Sequence, residues 1–127
     1  MPETILIAED HSLIRLAARR QLQAHVAQTI VTCTGNELES QLRQWRPKLL
    51  IIGSYEMMHC VTKYAQDVKV LLILPVAEEA ASFPRITAVV GRENLSERLV
   101  STVRFLLPAS ASRPWPRRPR QRARAAY

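Results

Sequence analysis

Short blocks of consecutive apolar residues alternate along this chain with longer stretches in which apolar residues recur every three or four positions. The blocks are Thr4–Ala8, Thr29–Cys33, Leu49–Ile52, Val68–Leu74 and Ile86–Val90. Runs this short, apolar on successive rather than alternate residues, fit strands buried on both faces, as in a parallel sheet covered by helices. Thr29–Cys33 is mostly β-branched, which strengthens its strand character. The third block follows Arg46-Pro47, opens at Lys48 and stops at Gly53.

The intervening stretches carry the helical period. His11-Ser12 opens a helix to about His25, with Leu13, Ile14, Leu16, Ala17 and Leu22 as an apolar stripe and Arg15, Arg19 and Arg20 on the wet side. Gly35-Asn36 ends the second strand, and Asn36 is expected to cap a helix with Leu38, Leu42 and Trp45 on one face. Pro47 stops that helix. Met57–Gln66 reads as a short helix with Met58, Val61 and Tyr64 or Ala65 inward, and Pro75–Ser82 as one or two helical turns ended before Pro84. Asn94-Leu95-Ser96-Glu97 has capping-box spacing. It opens a last helix with Leu95, Leu99, Val103 and Leu106 or Leu107 at three- and four-residue spacing.

Five strands alternating with helical segments give a (βα)₅ order, and short links force right-handed crossovers into a parallel sheet. The expected α/β fold is doubly wound, with strand order 2-1-3-4-5. Ligands of such sheets sit beyond the carboxyl ends of the strands, where the order reverses. There the acidic pair Glu9-Asp10 meets the loop that begins at Gly53.

Charge changes the picture at one end only. Six of the 18 Lys and Arg residues, Arg113, Arg117, Arg118, Arg120, Arg122 and Arg124, follow Pro108 without an acidic residue among them; residues 1–108 keep 12 basic against all 11 acidic groups. The body is near neutral, which argues against a nucleic-acid face spread over the whole domain. Residues 1–108 read as one domain, and 109–127, Arg- and Pro-rich with Ala, as a disordered tail unable to bury a core. Cys33 and Cys60 match no metal spacing and no redox motif, and are expected to be reduced thiols of a cytoplasmic protein. No secretory signal is visible, and no apolar stretch reaches the ~18–20 residues of a membrane span.

The opening Ile5-Leu6-Ile7-Ala8-Glu9-Asp10-His11-Ser12-Leu13-Ile14-Arg15 resembles the start of receiver domains of bacterial response regulators of the LuxR/NarL type, and Arg46-Pro47-Lys48-Leu49-Leu50-Ile51-Ile52 resembles the run into their phosphorylation site. The likeness covers roughly residues 4–107. It implies the flavodoxin-like receiver topology and a place in two-component phosphorelay signal transduction. In that family the acidic pair binds Mg²⁺, an aspartate ending the third strand accepts phosphate from a histidine kinase, and a Ser or Thr after the fourth strand and a Lys after the fifth complete the switch.

Glu9 and Asp10 match the acidic pair, but the other positions depart. Gly53 stands at the phosphoacceptor position, Leu74 at the hydroxyl, and Arg92 near the lysine. Aspartyl phosphorylation needs a carboxylate nucleophile facing a metal-held phosphoryl group. Glycine supplies none, Leu74 cannot hydrogen-bond, and a planar guanidinium does not replace a compact ammonium. The resemblance therefore implies a pseudo-receiver with no catalytic residue and no phosphoacceptor. Glu9-Asp10 is read as balanced by Arg92 with no cofactor; the alternative is a weak, vestigial Mg²⁺ site on Glu9 and Asp10.

The expected function is protein–protein interaction with a sensor kinase, phosphotransfer protein or another response regulator, without enzymatic activity. The last helix is the expected contact face, through Arg98 and Arg104 flanking its apolar stripe; Arg15 and Arg19 on the first helix are the other option. The helix-turn-helix domain that usually follows such receivers is expected to be absent. A different class of function, nucleic-acid association, would rest on the tail arginines binding phosphates, with Trp115 and Tyr127 stacking on bases. An enzyme on this fold is disfavoured: no Gly-rich phosphate loop follows the first strand, and no nucleophile–base pair is visible.

Overall fold

The structure, a computed structural model, describes residues 3–108. Five strands, β1 (Thr4–Ala8), β2 (Thr29–Cys33), β3 (Leu49–Ile52), β4 (Lys69–Leu74) and β5 (Ala88–Gly91), form one parallel sheet in the order β2-β1-β3-β4-β5. Four α-helices accompany them: α1 (Ser12–His25), α2 (Leu38–Trp45), α3 (Met58–Tyr64) and α4 (Leu95–Leu106). This is the doubly wound order the hydrophobic pattern predicts.

The pleat sorts the central strands between two cores, because successive side chains point to opposite faces. Ile5, Ile7, Leu49, Ile51, Leu71 and Ile73 pack with Ala18 and Leu22 of α1 and with Leu95, Leu99, Val103 and Leu106 of α4. Leu6, Ala8, Leu50, Ile52, Val70 and Leu72 pack with Leu38 and Leu42 of α2 and with Met58 and Val61 of α3. At about 25 cal/mol per Å² of apolar surface removed from water, these two layers are the main source of stability. Two cations fasten the first layer at its lower edge. Lys69 Nζ donates to the Leu106 carbonyl at 2.8 Å and Arg104 donates to the His25 carbonyl at 2.8 Å, each meeting a carbonyl at a helix C-terminus, where positive charge is favoured.

Several local expectations are corrected. On α1, Leu13 and Leu16 point outward, 68% and 39% exposed, and the packed stripe is Ile14, Ala17, Ala18 and Leu22. Asn36 does not cap α2. The capping box is Thr34-Gly35-Asn36-Glu37, in which Glu37 Oε1 accepts from the Thr34 amide at 2.9 Å, and a 3₁₀ turn at Gly35–Glu37 leads into α2. The Asn94–Glu97 spacing produces no box, since Asn94 makes no side-chain cap bond and the chain enters α4 through a 3₁₀ turn at Arg92–Asn94.

The largest difference lies between β4 and β5. Where one or two helical turns are expected over Pro75–Ser82, only a 3₁₀ turn at Ala80–Ser82 forms. The cover there comes from aromatic side chains. Tyr55 donates its hydroxyl to the Pro84 carbonyl at 2.9 Å, and its ring meets Phe83 at 5.3 Å between centroids. β5 begins at Ala88, two residues later than predicted, and Thr87 already bonds Val70 through both its amide and its hydroxyl.

The relocated cap has a measurable consequence. Thr34→Ala is expected to lower unfolding stability by about 1 kcal/mol, whereas Asn36→Ala should stay within about 0.5 kcal/mol of the parent. Urea denaturation of both variants checks the assignment, and the reverse ranking would place the cap at Asn36 after all.

Candidate functional site

The strand order brings the ends of β1 and β3 together, and the residues there divide the work expected of an acidic pair. Glu9 turns inward and is 2% exposed; Asp10 turns out and is exposed. Glu9 Oε2 accepts from the His11 amide at 3.1 Å, and its own amide donates to the Cys33 carbonyl at 3.0 Å. Asp10 Oδ1 accepts from the Gly35 amide at 2.7 Å, at the entry to α2. Arg15, expected on the wet side of α1, folds back and donates to the Glu9 carbonyl at 2.6 Å. The β1–α1 turn is therefore held by four separate interactions.

Gly53 follows β3, and its amide donates to the Ala8 carbonyl at 2.9 Å. A Cβ built at Gly53 would fall on the carboxylate of Glu9, far inside ordinary contact distance. The acidic side chain from β1 thus fills the place that a side chain at position 53 would occupy. Ser54 caps the next 3₁₀ turn by accepting from the Glu56 amide at 3.2 Å, and Glu56 is exposed.

Arg92 reaches the same space from the other side. It follows directly on β5, and its guanidinium lies 3.9 Å from Glu9 Oε2, with the Arg92 side chain 32% exposed. Glu9 Oε1 and Arg92 Nε are buried without partners. Leu74, the residue at the expected hydroxyl position, ends β4 opposite Gly91 and is half-buried. A Cβ at Gly91 would meet the backbone amide of Ala77 and the Glu93 carboxylate, so glycine there lets the loop after β4 close over the end of β5.

These residues do not fit a Mg²⁺ ion in the manner the family resemblance implies. Mg²⁺ demands octahedral oxygen ligands and usually keeps one or two carboxylates on one side. Here Asp10 is engaged at Gly35, Glu9 faces a guanidinium, and position 53 offers no oxygen ligand from a side chain. Among the described residues no group of three or more His, Cys, Asp or Glu is placed to hold a metal ion.

The two residues expected at a contact face differ in availability. Arg98 is exposed on α4, next to no ion-pair partner among the described residues. Arg104 is committed to the end of α1. Phe105, which no periodicity argument singled out, is 81% exposed on the same helix. The tail arginines, Arg113, Arg117, Arg118, Arg120, Arg122 and Arg124, lie outside the described residues, as do Trp115 and Tyr127. Among the described residues no helix is long and apolar enough to cross a membrane.

With this geometry the fold is that of response regulator receiver domains. A LuxR-family DNA-binding response regulator from Staphylococcus aureus superposes with a TM-score of 0.68 at 20% identity, over 82% of this chain and 98% of that one. The non-phosphorylated receiver domain of RcsB from Escherichia coli gives 0.69 at 14% identity, over 84% and 93%. The response regulator domain of CheB from Thermotoga maritima gives 0.68 at 12% identity, over 90% and 100%. No protein-family model and no curated protein matches the sequence.

The two thiols are free. Burial, with a smaller contribution from Glu37, pushes Cys33 from the usual 9.0 to about 12; burial, and then Glu39, also raises Cys60. Neither is an activated nucleophile. At pH 8, alkylation of the native protein should therefore be slow, with Cys60 modified first and Cys33 only on unfolding. The folded chain keeps the Cys33 proton where the unfolded chain has lost it. Stability from this group is thus complete below about pH 9 and falls as pH rises from 9 toward 12. Rapid labelling of native Cys33 would contradict both statements.

Proposed function

We propose that this chain is a non-phosphorylatable pseudo-receiver that acts in bacterial two-component signalling by binding another protein, in the cytoplasm and without catalysis. The observation that carries the reading is the glycine at the end of β3 with the Glu9 carboxylate filling its side-chain space. A phosphoryl group needs a nucleophile there. Partners of suitable chemistry are a sensor kinase, a phosphotransfer protein or another response regulator. The receiver fold supports this class of partner, and the neighbours carrying it are described as response regulators.

The contact surface that best fits is the outer face of α4, with exposed Arg98 and, about two turns further on the same face, exposed Phe105. Arg104 belongs to the scaffold, and so does Arg15. The discriminating residues are therefore Arg98 on α4 and Arg19 on α1. The second reading, nucleic-acid binding, is favoured by six arginines without an acidic residue in 109–127. Such binding would be sequence-independent and steeply salt-dependent.

Incubation with acetyl phosphate or beryllofluoride and Mg²⁺ is expected to leave the intact mass and the spectrum of the protein unchanged. A phosphoryl adduct at Ser54 or Glu56 would overturn the reading. A pull-down with the full chain and with 1–108 separates the two classes of partner: protein partners kept by 1–108 support the first reading, and loss of all binding with the tail supports the second. Once a partner is in hand, Arg98→Glu is expected to weaken its binding at least about fivefold, within the range of a single interface residue. Arg19→Glu should change it little, and the opposite pattern would move the contact to α1.

A further inference from the structure

Neighbouring strands lie about 4.8 Å apart, so β1 and β5, with β3 and β4 between them, are separated by roughly 14 Å. Glu9 extends from the end of β1 and Arg92 from the end of β5, and their charged groups come within 3.9 Å of each other. To meet, the two side chains must pass over the ends of the two strands between them. A side chain at position 53 would force the Glu9 carboxylate out of this path, because its Cβ would lie far inside contact distance of it. Glu9 is the longer of the two acidic side-chain types, and Arg92 is the longest cationic one. The parts fit a span rather than a pocket.

The partners are also unequal to their surroundings in a way that strengthens the pair. Glu9 is buried and its Oε1 has no partner; Arg92 Nε is buried and has none. A carboxylate and the side of a guanidinium carry two acceptors and two donors at matching separation, and pair bidentately. At 3.9 Å no such bond is closed here, and Glu9 Oε1 and Arg92 Nε are left as the free acceptor and donor of the pair. With Glu9 shielded from water, the attraction is screened far less than that of an exposed pair.

Arg92 is the first residue of the 3₁₀ turn Arg92–Asn94, and α4 begins at the next residue, Leu95. Holding Arg92 fixes where α4 leaves the sheet. We propose that Gly53 is the opening through which Glu9 holds Arg92, forming a brace across the top of the sheet that fixes the entry of α4. The brace follows from the geometry alone. Its consequence, an α4 face presented in one position without phosphorylation, rests on the function proposed above.

The test is a double-mutant cycle on the full chain, Glu9→Gln with Arg92→Gln, measured by urea unfolding with Gly53 present and again in a Gly53→Ala background. The expected coupling with Gly53 present is about threefold or more in the unfolding equilibrium constant, typical of contacting residues, and it is expected to vanish with Gly53→Ala. Backbone amides of Arg92–Asn94 should exchange with deuterium about tenfold faster in Glu9→Gln and in Arg92→Gln than in the parent. Additive effects with Gly53 present, coupling that survives Gly53→Ala, or unchanged exchange in both single variants would each overturn the brace. Should Gly53→Ala fail to fold, Glu9→Ala with Gly53→Ala removes the carboxylate from the new Cβ and is expected to restore folding; failure of that pair too would show that position 53 is crowded by something other than Glu9. No phosphodonor or partner enters these measurements. A chain that accepted phosphate would refute the proposed function and leave the brace standing.

Discussion

Burial of β1, β3 and β4 on both faces is the constraint from which the rest of the molecule follows. Ile5, Leu6, Ile7 and Ala8 are all fully buried, as are Val70 through Ile73. A strand with no wet face cannot end in a hairpin at the surface of a sandwich; it needs a layer on each side and parallel neighbours joined by crossovers. Those crossovers place every strand's carboxyl end on one edge of the sheet. The candidate site sits at that edge because the loops that follow β1, β3 and β5 converge there.

This constraint was legible in the sequence because it is written in short, unbroken apolar runs set between turn residues. Leu49–Ile52 and Val70–Leu74 can hardly be anything but central strands once Pro47 and Gly53 bound the first of them. The helix starts were harder to read. Thr34 and Asn36 are both good capping residues two positions apart, and the choice is settled by Glu37, whose carboxylate reaches back to the Thr34 amide. The same spacing at Asn94 formed no box, since Arg92–Asn94 was already turning. On α1, Leu13 and Leu16 shared a helical period with Ile14 and Ala17, and only the angle of the helix on the sheet decides which pair is covered.

At the site, the residues standing at the strand ends and the balancing of Glu9 by Arg92 could be read directly, and the different directions taken by Glu9 and Asp10 could not. Gly53, Leu74 and Arg92 are single letters at the ends of recognisable strands. That Glu9 would turn into the space above Gly53 while Asp10 turned toward Gly35 depends on side-chain directions that no spacing encodes. Arg104 illustrates the same limit. As a sequence position it flanks an apolar stripe and looks available, yet the neighbouring end of α1 offers a carbonyl that takes its guanidinium. Tyr55 and Phe83 lie far apart in the chain and carry no periodic signal, although together they cover part of the sheet left by the short β4–β5 connection.

That short connection also bears on how the sheet assembles. A helical crossover can form locally within about a microsecond and deliver the next strand close to its neighbour. Between β4 and β5 there is only the turn at Ala80–Ser82, so β5 must find β4 by closing a largely irregular loop, at an entropic cost that the aromatic contacts offset only once both ends are in place. The pairing of β1, β3 and β4 does not need that loop. The placement of β5, and of α4, which follows it directly, therefore depends on a loop closure that the pairing of β1, β3 and β4 does without. The C-terminal part of the domain covers Ile5, Ile7, Ile51 and Ile73 together with α1, so a chain cut short before α4 would leave part of that apolar face open to other molecules.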